Sequence, residues 1–126
     1  MNPALVLVGS LAHHDLDVRI IEALPWLLAE FADLDTPWIV SQTRLLNLQN
    51  RVGYLVTLAD QGATPARHLS VLAAEMESSR LASEGTLCRD SMPTAERTWV
   101  RKNRPALAAH WRLLTTLTRE QLSYAL

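Results

Sequence analysis

Between Pro37 and Gly62, apolar residues recur at the spacing of an α-helix without a break. Asp35 and Thr36 supply capping side chains, and Pro37 suits the first helical position because its missing N–H is not needed there. Apolar residues then recur seven apart, at Trp38, Leu45, Val52 and Ala59. This spacing predicts one long helix over residues 37–61 that forms the centre of a bundle.

Signals for further helix starts recur along the chain, and almost no segment alternates with the period of two that a half-buried strand needs. The predicted starts are Asn2-Pro3, Asp15 or Asp17, Thr64-Pro65, Pro93 or Thr94, Pro105, and a capping box over Thr118–Gln121. Pro25 lies inside the second helix and predicts a kink there. The sequence therefore predicts an all-α protein, an irregular multi-helix bundle of about six to eight helices around the long helix.

The composition is that of an ordinary globular protein, with 126 residues, 48% of them hydrophobic and 20% charged. We expect a single all-α domain over residues 1–126, because this length suits one domain. Residues 83–92 show no periodicity and mark a boundary between subsections 1–84 and 92–126. The single cysteine and the lack of a membrane-spanning or secretory segment predict a cytoplasmic protein without a membrane partner.

Charge is divided unevenly along the chain, since acids outnumber arginines up to residue 92 and bases outnumber acids after it. Trp99 lies in the basic part, on a strongly polar predicted helix. Its basic neighbours are Arg97, Arg101, Lys102 and Arg104. An aromatic side chain flanked by arginines is typical of interface anchors, so these five residues form a candidate protein interface.

A second candidate site is a pocket between helices. Trp26, Trp38 and Tyr54 would line it, and Gln49 or Arg51 would orient the ligand. A few polar groups among aromatic walls are typical of small-molecule sites. This pattern supports an alternative function as a small-molecule-sensing helical domain.

The densest group of ligand-type side chains is His13-His14-Asp15-Leu16-Asp17. The group resembles part of the signature of metal-dependent phosphohydrolases, so activity of this kind is our third hypothesis. The upstream histidine and the distant aspartate of that signature are missing from this sequence. A polar turn whose aspartate caps the next helix explains the group more simply.

The remaining patterns do not predict chemistry. Cys88 with His68 or His110 lacks a nucleophile motif, and the scattered glycines form no phosphate-binding loop. We therefore predict a non-enzymatic protein with no catalytic residues, no metal and no cofactor.

DNA binding through this chain alone is not predicted either. The corner at residues 103–105 would supply the turn of a helix-turn-helix unit, but the helix after it is rich in Ala and Leu, with Trp111 and one interior arginine. Such a helix is built for packing and carries no code for bases.

Two segments, residues 22–28 (EALPWLL) and 47–54 (NLQNRVGY), resemble the C-terminal helical region of bacterial helix-turn-helix regulators and antitoxin-like proteins. The resemblance implies that the DNA reader is absent from these residues and that the chain is a companion module that oligomerises, senses or binds a partner. The ratio of eleven arginines to one lysine is typical of a GC-rich bacterial genome. The leading hypothesis is a bacterial, cytoplasmic interaction or oligomerisation module that pairs with itself or with another protein.

Overall fold

The computed structural model describes residues 2–61 and 66–122, and it confirms the all-α class. Seven α-helices lie in these residues: α1 (Pro3–Leu11), α2 (Val18–Glu30), α3 (Thr36–Leu46), α4 (Gln49–Asp60), α5 (Arg67–Ser78), α6 (Thr94–Asn103) and α7 (Ala106–His110). Two short strands, β1 (Gly85–Thr86) and β2 (Leu113–Leu114), pair in parallel, and a 3-10 turn covers Arg119–Gln121. No helix in the described part of the chain is both long enough and apolar enough for a membrane span.

Local capping chemistry explains where several helices begin. The side chains of Asn2, Asp17 and Asp35 accept hydrogen bonds from backbone N–H groups in the first turns of α1, α2 and α3. Thr118 and Gln121 form the predicted capping box around the 3-10 turn. The first backbone N–H groups of a helix have no acceptor within the helix, so a side-chain oxygen that accepts from them favours a helix start at that residue. The start predicted at Thr64-Pro65 lies outside the described residues.

The prediction of one helix over residues 37–61 is wrong, because two helices, α3 and α4, cover this segment and are separated by Asn47 and Leu48. Asn47 adopts a left-handed conformation with φ of 56°, and the N–H of Leu48 donates to the carbonyl of Thr43 at 2.9 Å. Asparagine tolerates this conformation better than most residues, which makes it a common helix terminator. Leu45, one of the four residues spaced seven apart, is 73% exposed, whereas Val52 and Ala59 are buried.

Helix α4 is the central element of the bundle. Ten of its twelve residues are buried, and it packs against α2, α3 and α5. Trp111 lies against Gly53 on this helix, where the absence of a side chain allows the indole ring to approach the backbone. The buried core extends from α1 to Leu122 and is centred on α4.

The prediction for the segment after Pro105 is only partly correct. Helix α7 ends at His110, and Arg112 then turns the chain with φ of 54°. Leu113 and Leu114 form strand β2 instead of continuing the helix. Leu113 faces the main core, whereas Leu114 joins Met92 and the α6 residue Val100 in a small second cluster. Both residues are buried but on opposite sides of the chain, which is the alternation that a strand provides and a helix does not.

Candidate functional site

Helix α6 carries the candidate interface, and its first turn is tied to the preceding loop by Arg97. The guanidinium Nε of Arg97 donates to the carbonyl of Met92 at 2.8 Å, and Nη2 donates to the carbonyl of Asp90 at 2.6 Å. Glu96 in the first turn has the sign that the helix dipole favours. Arg97 therefore positions α6 by using two of its five guanidinium donors within the protein.

The last turn of α6 is held by Glu84. Arg101 donates to this carboxylate through Nε at 3.0 Å and Nη2 at 2.7 Å, and Arg104 adds a third contact at 3.3 Å. Hydrogen bonds from Arg101, with the charges of both arginines, lower the pKa of Glu84 below its ordinary value. One carboxylate thus anchors two arginines of the predicted interface.

Between these two anchors, Trp99 faces solvent. It is 59% exposed, and its carbonyl accepts a hydrogen bond from the Asn103 side chain. Ala95, Lys102 and Asn103 lie three or four residues away from it and are also exposed. We call these four residues the Trp99 face. It offers a large aromatic surface and a cation on a helix that is fixed at both ends.

A second constellation is centred on Arg51, which projects from α4. All five N–H groups of its guanidinium donate: Nε to the Thr86 carbonyl (2.8 Å), Nη1 to the carbonyls of Leu11 and His13 (both 2.9 Å), and Nη2 to Thr86 Oγ1 (3.2 Å) and Asp90 Oδ1 (3.1 Å). Arg51 is only 9% exposed. It therefore links α4 to the end of α1 and to the loop after β1.

Asp90 connects this network to the histidine cluster. Its Oδ2 lies 2.9 Å from His14 Nδ1, while Oδ1 accepts hydrogen bonds from the Arg51 guanidinium and the Thr86 hydroxyl. Burial would raise the pKa of Asp90, but hydrogen bonds from Thr86 and His14 and the charge of Arg51 outweigh it and lower the pKa below 3.8. His13, His14, Arg51 and Asp90 border a cleft of about 310 Å³. The cleft lies where α1, the α3–α4 break and the loop before β1 meet.

The carboxylates of the His13–Asp17 segment perform local structural roles. Asp15 accepts the backbone N–H of Ser91 at 3.0 Å and its hydroxyl at 2.9 Å, which lowers the pKa of Asp15. Asp17 caps α2, as the simpler interpretation of this segment predicts. Within residues 2–61 and 66–122, no three His, Cys, Asp or Glu side chains are grouped so that they could hold a metal ion.

The five residues of the predicted pocket are distributed over different parts of the molecule. Arg51 borders the cleft described above, whereas Trp26 is 40% exposed and borders a groove between α1 and α2. Trp38 packs at the edge of the core and Gln49 is buried. The Tyr54 hydroxyl donates to the carbonyl of Leu117, and burial raises the pKa of Tyr54 to about 12.

Cys88 and the two histidines considered with it have separate surroundings. His68 Nε2 lies 2.8 Å from the Leu28 carbonyl, and His110 Nε2 lies 2.8 Å from Glu77. Cys88 is half-buried, and burial raises the pKa of its thiol. A raised pKa disfavours the nucleophilic thiolate.

Sequence reasoning missed Asp90, Thr86 and Glu84 as partners of the arginines. One signal pointed to such partners: an arginine inside an apolar helix such as α4 needs carbonyls and a carboxylate around it, because a buried cation without partners is strongly unfavourable. The sequence does not indicate which residues these partners are, because Asp90 lies 39 residues from Arg51.

Comparisons with known proteins identify no relative of this chain. No family model matches the chain, and neither the curated proteins nor the solved structures contain a significant match to it.

Proposed function

We propose that this chain is a non-enzymatic protein-interaction module and that its partner docks on the Trp99 face. The observation that carries the proposal is the exposure of Trp99, at 59%, on a helix whose first and last turns are both anchored by arginines. Exposed tryptophans are costly to leave in water and are enriched among the residues that dominate binding energy. Trp99 is thus the expected anchor of the interface.

The anchoring of α6 favours binding because it reduces the entropy that docking must remove. Arg97 holds the start of the helix against the 90–92 loop, and Glu84 holds its end. A surface that is ordered before the partner arrives loses less conformational freedom on binding. Arg97, Arg101 and Arg104 are on this account positioning residues, and Trp99 with Lys102 makes the contact.

The charge around α6 indicates the chemistry of the partner. Lys102 and the three arginines of the predicted interface surround Trp99. Glu84 neutralises only part of their charge, and the acid on α6 itself, Glu96, is paired with Arg89. A positive surface attracts an acidic one and raises the rate of encounter at low salt. We therefore expect an acidic protein segment with an apolar or aromatic residue that covers the indole ring.

A role as an interaction module agrees with the resemblance to the C-terminal region of helix-turn-helix regulators and antitoxin-like proteins. That resemblance implies a companion module of a bacterial regulatory system, working beside a DNA reader on another part of the protein or on another chain. The Trp99 face would then be the surface through which the module recruits or restrains its partner.

The alternative of a small-molecule-sensing domain has less support from the contacts. Arg51, the cation that was expected to orient a ligand, already uses all five donors within the protein. The Tyr54 hydroxyl is likewise engaged, with Leu117. A ligand in the cleft would have to displace these bonds, whereas a partner on the Trp99 face would displace only water.

The test compares two variants, each of which replaces a different exposed apolar residue by alanine. The wild-type chain, Trp99→Ala and Leu45→Ala would each be used to capture proteins from an extract of the host, and the affinity of the captured protein would then be measured by calorimetry. Leu45 is 73% exposed on α3, so its variant is a matched control. We expect Trp99→Ala to weaken binding about thirtyfold, as loss of a hot spot of about 2 kcal/mol implies.

The control variant should bind like the wild type, and the melting temperature of the Trp99→Ala variant should stay close to that of the wild-type chain. Binding by the wild type should also weaken as salt is raised, because the surroundings of Trp99 are charged. Equal binding by the wild type and Trp99→Ala would refute the proposal. So would a large loss of thermal stability without a loss of binding, because Trp99 would then serve packing.

A further inference from the structure

Helix α1 has an unusual composition for a helix at the surface of a protein. Its nine residues include no charged side chain, and yet Leu5 is 57% exposed and Val6 is 36% exposed. A helix that is apolar on all sides is normally covered on all sides. Helix α1 buries Ala4, Leu7, Val8 and Leu11 in the core, and no element within residues 2–61 and 66–122 covers its other face.

The exposed face of α1 continues onto α2. A groove of about 560 Å³ lies between the two helices, and Val6, Ile20, Ala23 and Trp26 form its walls. Ile20 is 43% exposed and Trp26 is 40% exposed. The buried residues Leu24 and Leu27 lie at its base. We call this surface the α1–α2 groove.

The aromatic wall of the groove has a defined orientation. The ring of Trp26 meets the ring of Phe31 edge to face, with centroids 6.3 Å apart and planes at 85°. This arrangement is the one that the charge distribution of aromatic rings favours. Trp26 thus contacts Phe31 and remains 40% exposed to solvent.

Charged groups at the α2 start of the groove balance each other. Asp17 and Arg19 both border it, and Arg19 Nη2 lies 3.1 Å from Asp17 Oδ2. The rim therefore carries one negative and one positive charge, in contrast to the basic surroundings of Trp99. A strongly acidic or basic partner would gain nothing from this rim.

We propose that the α1–α2 groove is the contact surface of a symmetric dimer of this chain. In a two-fold contact both copies use the same surface, so this surface must be complementary to itself. An apolar centre and a rim with one acid and one base meet this requirement, because Arg19 of each copy can pair with Asp17 of the other. This inference goes beyond the proposed function, since it concerns a different face and a different partner.

The groove offers only a small contact to a second copy. Helix α2 has thirteen residues and is about 20 Å long, so the two helices offer a contact well below the roughly 800 Å² per partner of a standard stable interface. We therefore expect a reversible dimer whose population depends on concentration, with a dissociation constant on the order of micromolar or weaker.

Sedimentation velocity over about 2–500 µM tests the proposal with the full chain. The mass should rise from 14.1 kDa towards twice that value as concentration increases. Ile20→Glu should raise the dissociation constant tenfold or more, because it places a charge in the apolar centre of both copies. The matched control is Val71→Glu, which introduces the same charge at a residue of α5 that is 41% exposed and outside the groove.

A second variant protects the test against a folding defect in the first. Arg19→Glu changes a highly exposed side chain and makes both rims acidic, while Asp17 can still cap the backbone of α2. It should also weaken the dimer, and more so at low salt. A wild-type chain that stays monomeric throughout, or a dimer that both groove variants leave intact, would overturn the inference. Because Trp99 lies on another face, Trp99→Ala should leave the dimer unchanged.

Discussion

The indole ring of Trp111 lies directly against the backbone of Gly53, and a methyl group added at residue 53 would overlap the ring. This contact brings the segment after α7 onto the central helix α4. Trp111 is 2% exposed, so the ring has little room to move away. The pair thus joins the last quarter of the chain to the core and helps to hold the part of the chain that carries α6.

Gly53→Ala is expected to destabilise the protein by about 1–3 kcal/mol, the usual cost of overpacking a filled core. The higher helix propensity of alanine would offset about 1 kcal/mol of this strain. Urea unfolding followed by circular dichroism would measure the difference. The matched control is Gly9→Ala in α1, where a methyl group would meet no atom within 4 Å. The control should be as stable as the wild type or more stable, and equal losses for the two variants would contradict the role of the Trp111 contact.

Arg51→Lys is expected to cost about 3 kcal/mol of the free energy of unfolding, a loss similar to that of breaking a buried ion pair. An ammonium group has three donors and cannot reproduce the five directed bonds of the planar guanidinium. The same substitution at Arg44, whose ion pair with Glu75 is exposed, serves as the control. We expect a loss below about 1 kcal/mol there. Comparable losses in the two variants would show that the Arg51 network is not a special cross-link.

Stability is expected to fall in acid partly because of Asp90. Its pKa in the folded protein is lowered below the ordinary value of 3.8, so the unfolded chain binds the proton more tightly. The stabilisation from this carboxylate is therefore complete above about pH 4–5 and is lost as pH falls through and below the ordinary value. Asp90→Asn should lower stability at pH 7 and flatten the acid side of the stability curve. Unfolding free energies at several values between pH 7 and pH 3 would test this, and parallel curves for the two proteins would contradict it.

The candidate sites were predictable to different degrees. The exposure of Trp99 agrees with the pattern of its own helix, because four of the ten residues of α6 are charged and Val100 is its single other large apolar residue, which is too little for a buried apolar stripe that includes Trp99. The proposed pocket required a three-dimensional arrangement, and Trp26 and Arg51 in fact border different cavities. The α1–α2 groove escaped prediction because the apolar residues of α1 and α2 are equally consistent with burial, and periodicity does not say which side of a helix lacks a neighbour.

Local chemistry accounts for what could be read from the chain alone. A capping side chain acts on N–H groups two or three residues away, so Asn2, Asp17 and Asp35 specify helix starts wherever the segment lies. The spacing of apolar residues likewise specifies helices over most of the chain, and thus the all-α class.

Contacts between distant segments account for the rest. The apolar register runs through Asn47, and yet the helix ends there: α3 contacts α1 and α5, whereas α4 contacts α2 and α5 and has ten of its twelve residues buried. Leu113 and Leu114 become a strand because Gly85 and Thr86 are available to pair with them. Arg51 can be buried because Thr86 and Asp90 are brought to it by folding. Each of these outcomes depends on free energy gained between residues far apart in sequence, and local propensities are too weak to override it.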